Sequence, residues 1–228
     1  MRQILLIVDV QSTFSPPEWL VSGVTALARH VPAVATIELH DEEHTPFQDQ
    51  LGWCPAVQDK SLVEVERVFI KYGYAPSAET LAYLKSLNPE RVLVCGIQTE
   101  TCVLAAGFAL FDLGLHPTLV TDLTVGSSLD RSGQLGINLW QHHFRQVTTT
   151  TEIIGELGLA KILYELTKDE AAMGCAATPR RRSCGPHRSL VPRQRLQGWR
   201  KSFQAVLAMT AVNNSDAKNR SSQAFRRG

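Results

Sequence analysis

Three residues of different chemical kind, Asp9, Lys71 and Cys102, are spaced so that one reaction could use all of them. Cys102 stands in GIQTETCVLAAGFALFDLG, residues 96–114, where a short polar run passes into a helical pattern. A thiol in the first turns of a helix feels the positive end of the helix dipole and unsatisfied backbone N–H groups, both of which favour thiolate. A lysine ammonium nearby adds to that effect, and an aspartate can hold the lysine and accept the thiol proton. The set therefore offers a nucleophile, a proton shuttle and an electrostatic partner. Taken singly, each residue also has a plain structural role: a cysteine in an apolar helix is usually core, a strand-end aspartate ties down loop amides, and a strand-end lysine is a solvated charge.

The elements that must position these residues can be read from the pattern. Residues 4–10 (ILLIVDV), 31–37, 67–71 (RVFIK), 91–95 (RVLVC), 117–121 (PTLVT) and 145–149 are short and rich in β-branched residues, as strands buried on both faces are. Helical patterns fall at 78–87, 99–114, 132–142 and 152–167, so strand and helix alternate. The expected fold is a three-layer α/β/α sandwich around a mostly parallel, doubly wound sheet. In such sheets ligands bind beyond the carboxyl ends of the strands. Asp9 ends the first strand, Lys71 ends the third and Cys102 follows the fourth, which puts all three on one rim. No glycine-rich phosphate loop accompanies them: GIQTET lacks both the G-x-G-x-x-G spacing and the P-loop Lys-Ser/Thr.

Charge divides the chain of 228 residues sharply. Residues 1–170 carry 11 Lys and Arg against 21 Asp and Glu, a net of −10, while residues 171–228 carry 12 against 1, a net of +11. The expected organisation is one domain over 1–170 and a basic, disordered extension over 171–228. Nucleic acid is not expected as a partner, and Cys175, Cys184 and His187 in the extension lack a fourth zinc ligand at usual spacing. The five scattered cysteines do not make a disulfide framework and fit a reducing cytoplasm; Cys54 and Cys95 are read as structural. The apolar run Ile4–Val10 is too short for a signal-peptide core or a membrane span, so neither export nor an anchor is expected.

The segments LLIVDVQSTF, VFIKYGYAP and VLVCGIQTETCVLAAGFALFDLGL, in this order and spacing, resemble the isochorismatase-like cysteine hydrolase superfamily, which includes nicotinamidases and carbamoyl amidohydrolases. The resemblance covers about residues 3–150. It implies Cys102 as nucleophile, Asp9 as general acid/base and Lys71 as the residue that positions and polarises them. It also implies a cis peptide between Ile97 and Gln98, and an oxyanion hole made by the backbone N–H groups of Gln98 and Cys102. Members without the cysteine cleave a vinyl ether by acid catalysis, so Cys102 points to C–N bond hydrolysis through an acyl-enzyme, on a small carboxamide or carbamoyl compound. A homo-oligomer is implied as well. A catalytically silent binder that keeps the fold is the alternative from another class.

Nicotinamidases carry a D-x-H…H metal group after the second strand, and ELHDEEH supplies Glu38, His40 and His44 at a comparable place. Glu stands where those enzymes have Asp, and no third histidine follows before His116, so the set is incomplete and neither a metal nor another cofactor is expected. The continuation HTPFQDQLGW is closer to metal-free members. Phe14, Trp19, Phe47, Trp53, Tyr72 and Tyr74 lie in the loops after the first three strands, where aromatics wall a pocket or anchor packing. Phe14 and Tyr74, followed by Phe47 and Trp53, are the expected substrate contacts.

Overall fold

The computed structural model describes residues 2–158. Six strands, β1 (Gln3–Val8), β2 (Ala33–Glu38), β3 (Arg67–Lys71), β4 (Arg91–Ile97), β5 (Pro117–Val125) and β6 (Val147–Thr148), form one sheet in the order β3-β2-β1-β4-β5-β6. Every pairing within it is parallel. All six residues of β1, QILLIV, are buried, as the centre of a sheet covered on both faces requires. Chain contacts divide the protein after Thr150, and the unit Met1–Thr150 contains the whole sheet and Asp9, Glu38, Lys71 and Cys102. The expected extension and the far part of the 152–167 helix lie outside the described residues.

Alternation along the strands sorts the two faces. Ile4, Leu6, Val8, Val92 and Val94 pack in one cluster with Leu84 of α3 (Ala78–Ser86), with Ala106 and Leu110 of α4 (Leu104–Asp112), and with Ile137 and Trp140 of α5 (Gln134–His143). Leu5, Ile7 and Leu93, also fully buried, alternate with that set and face the other way. The opposite layer includes α1 (Glu18–Ala28), which contacts β4 and β5 and buries Leu20, Val24 and Leu27. Neither α1 nor the short helix α2 (Phe47–Leu51) is among the helices expected from the sequence, although Leu20, Val24 and Leu27 recur at helical spacing. A last helix, α6, spans Thr150–Glu156. Among the described residues no helix is long and apolar enough to cross a membrane.

The strand order reverses direction at β1: the chain moves out through β2 and β3, then returns to lay β4 on the other side. Here β1 and β4 run closely side by side, with Val8 in register with Gly96. Gly96 has φ +117°, and a Cβ on it would stand 2.1 Å from the Val8 carbonyl oxygen, so only glycine lets the two strand ends meet. That junction is the topological switch point where a sheet of this kind opens a crevice.

Candidate active site

Four adjacent strand ends deliver four side chains to one place. Asp9 follows β1 with φ +52°, a left-handed turn that swings its carboxylate off the strand. Glu38 ends β2 and Lys71 ends β3, paired in register. Beyond β4 the chain enters a single π-helical turn, Thr99–Val103, that carries Cys102 and continues into α4. Its wide turn is closed by the Val103 N–H donating to the Gln98 carbonyl at 3.1 Å. The expected helix over 99–114 is therefore two kinds of helix, with the thiol on the irregular part, where functional groups often sit. The Ile97–Gln98 peptide is cis.

The four side chains touch one another and are almost sealed: Asp9 is 0% exposed, Glu38 1%, Lys71 2% and Cys102 3%. Lys71 Nζ lies 2.8 Å from Asp9 Oδ2 and 3.3 Å from Glu38 Oε2. It also donates to the Gly73 carbonyl at 2.7 Å. The other Asp9 oxygen accepts from Thr36 Oγ1 at 2.9 Å. The Cys102 thiol donates to Glu38 Oε2 at 3.4 Å, and Sγ and carboxylate oxygens of Asp9 and Glu38 lie within 4.8 Å of one another.

These contacts set the protonation states. For Lys71 burial opposes the charge, but Asp9, Cys102 and Glu38 together outweigh it and hold the ammonium firmly protonated. Burial, with Asp9 and Glu38 adding to it and Lys71 opposing, pushes the Cys102 thiol well above its ordinary range. Burial beside two carboxylates thus works against the thiolate that a helix start and a lysine favour. The S–H of Cys102 is directed at a carboxylate oxygen, Glu38 Oε2. Cys95, fully buried in β4, is pushed up by burial and Asp122 and takes no part in the site. Cys54 is half-buried, and all three described cysteines are free.

Glu38, which the sequence places in a candidate metal group, is the fourth member of this buried cluster. Gln11, itself fully buried, clamps its backbone from both sides: Gln11 Nε2 donates to the Glu38 carbonyl at 2.9 Å, and the Glu38 N–H donates to Gln11 Oε1 at 2.7 Å. Gln11 is held in turn by Asp59, whose Oδ2 also accepts from Thr13 N and Thr13 Oγ1, both at 2.8 Å. The signal was available in the strand-end rule, which applies to Glu38 at the end of β2 as much as to Asp9 and Lys71.

The histidines go elsewhere. His40 Nε2 lies 3.4 Å from Glu42 Oε2, and its buried Nδ1 has no partner. His44 Nδ1 pairs with Asp41 at 2.9 Å while its ring stacks on Tyr72. Among the described residues the His, Cys, Asp and Glu donors that converge are Asp9, Glu38 and Cys102, and a lysine ammonium already sits against two of them. One orphaned imidazole nitrogen does not make a donor set, so these residues do not fit a nicotinamidase-type metal group.

The aromatic residues form a chain beside the site. Ring centroids of Phe14 and Trp53 are 6.0 Å apart, Trp53 and Phe47 6.4 Å, and Phe47 and Tyr74 5.3 Å. Phe47 is buried and anchors the group, whereas Trp53 and Tyr74 are about half exposed, 47% and 46%. Burial, Cys102 and Glu38 all raise the Tyr74 pKa, which puts this ring within the electrostatic reach of the thiol.

A family model described as the isochorismatase domain matches residues 3–152. Solved structures are similar too. An isochorismatase-like hydrolase from Alkaliphilus metalliredigens aligns at 18% identity and TM-score 0.54, over 68% of this chain and 99% of that one. A cysteine hydrolase from Pseudomonas syringae pv. phaseolicola aligns at 17% and 0.57, over 69% and 92%. A pyrazinamidase from Pyrococcus horikoshii, solved in complex with zinc, aligns at 20% and 0.54, over 65% and 99%. At these identities the likeness is one of fold. No curated protein matches the sequence.

Proposed function

Because this chain belongs to the isochorismatase family of hydrolases, we propose that it cleaves an amide or carbamoyl C–N bond of a small molecule through an acyl-enzyme on Cys102. The observation that carries this reading is a thiol that donates to buried Glu38 and lies within 4.8 Å of buried Asp9, both carboxylates paired to the buried Lys71 ammonium. As Sγ attacks the carbonyl carbon, the thiol proton passes to Asp9, so a thiolate exists only when there is a carbon to attack. Lys71 keeps Asp9 ionised beforehand and steadies the anion that forms. The backbone N–H groups of Gln98 and Cys102, at the turn from β4 into the π-helical segment, receive the oxyanion. The nitrogen leaves protonated, and water then hydrolyses the thioester to the acid. Phe14, Trp53, Phe47 and Tyr74 wall the acyl side of the pocket.

The protein's setting follows the same reading: a reducing cytoplasm, in keeping with the free thiols of the three described cysteines, and a homo-oligomer as the family resemblance implies. The test is ammonia release from a panel of primary amides, carbamoyl amino acids and ureido compounds. Wild type should turn over at least one of them, and Cys102→Ala should lose at least about 10³-fold. A panel with no substrate, or activity indifferent to Cys102→Ala, would leave a silent binder as the better account.

A further inference from the structure

Glu38 has an atom that the Asp9, Lys71 and Cys102 chemistry does not use. Its Oε2 is occupied by Lys71 Nζ at 3.3 Å and by the thiol at 3.4 Å. Its Oε1 is buried and has no hydrogen-bond partner. An ionised carboxyl with one oxygen dry and unpaired is costly. Counting charges leads to the same point. Asp9 and Lys71 cancel, so a second ionised carboxylate would seal one net negative charge into a cluster that is at most 3% exposed. A neutral Glu38 removes that charge. Its hydrogen then sits on Oε1, because Oε2 already accepts from two donors. Burial above all, with Asp9 adding to it against Lys71, raises the Glu38 pKa in agreement.

Resting on the hydrolase reading above, we propose that Glu38 is the acid that protonates the departing nitrogen, through Oε1, while Asp9 handles the thiol proton. In acylation the S–H proton goes to Asp9, the S–C bond forms, the C–N bond breaks and the Glu38 proton goes to nitrogen. In deacylation water adds to the thioester and gives its proton to Glu38. The thiolate is then expelled and recovers the proton from Asp9, which restores every group. The division gives the two carboxyls opposite roles fixed by their surroundings. It also explains why a second acid stands beside the thiol at all.

A leaving-group comparison tests this. The best amide of the panel and the p-nitrophenyl ester of the same acid are assayed with wild type, Glu38→Gln and Glu38→Asp, because p-nitrophenolate departs without a proton and an amine does not. Glu38→Gln should lose at least about 10²-fold on the amide while the ester acylation burst stays within about threefold, and Glu38→Asp should fall between. Equal losses on amide and ester, or an amide rate untouched in Glu38→Gln, overturn the assignment. The ester burst also separates this inference from the hydrolase reading: a burst that survives Cys102→Ala removes both, whereas a Cys102-dependent burst with equal losses in Glu38→Gln removes only the role of Glu38.

Discussion

At the scale of single residues, the site is governed by two carboxyls and one ammonium that are almost wholly buried together. Its charged and titratable neighbours are Asp9, Lys71, Cys102 and, further out, Tyr74. Because the folded pKa of Glu38 lies above its ordinary 4.5, the stabilising contribution of its neutral form is complete below 4.5. It is lost as pH rises through the folded value, where the unfolded chain has already released the proton. Urea unfolding from pH 4 to pH 8 should therefore show Glu38→Gln gaining on wild type as pH rises; a difference independent of pH would contradict a raised Glu38. Residue types and strand-end positions made Asp9, Lys71 and Cys102 legible in the sequence. The direction of the Glu38 side chain was not, because it depends on the Gln11 clamp, a contact 27 residues away.

At the scale of elements, the position of Cys102 depends on how α5 lies against the π-helical turn. Gly136 of α5 packs so closely that a Cβ there would stand 2.5 Å from the Thr99 carbonyl carbon and 2.6 Å from the Glu100 nitrogen. Thr99 is fixed from the other side by Thr124, whose hydroxyl is 2.8 Å from its own and donates to the Gly96 carbonyl at 3.0 Å. Gly136→Ala must therefore push on backbone rather than on a pliable side chain. It should cost about 1–3 kcal/mol in urea unfolding and, on the proposed mechanism, lower kcat more than it raises KM, since Cys102 moves and the aromatic residues do not. Unchanged stability and turnover would show that the helix can shift freely. Periodicity could place a helix over 99–114, but apolar spacing over so few residues does not separate a π turn from an α-helix, so this irregularity was not readable. Strand and helix alternation was, because buried parallel strands carry continuous apolar runs.

At the scale of the molecule, about two thirds of this chain covers 92–99% of each of the similar structures described above. A protein ending at residue 170 should accordingly keep the amide activity and the thermal transition of the full chain; loss of either would show that the basic extension belongs to the working enzyme. The saturation of Lys71 has a further consequence. Its ammonium faces Asp9, Glu38 and the Gly73 carbonyl, which uses all three of its N–H directions inside the protein. On the proposed mechanism, a carboxylate produced by hydrolysis meets the anion of Asp9 and finds no spare donor on the Lys71 ammonium beside it. The electrostatics that would prepare an attack on a neutral amide would then also favour eviction of the charged acid, which biases turnover toward release of product.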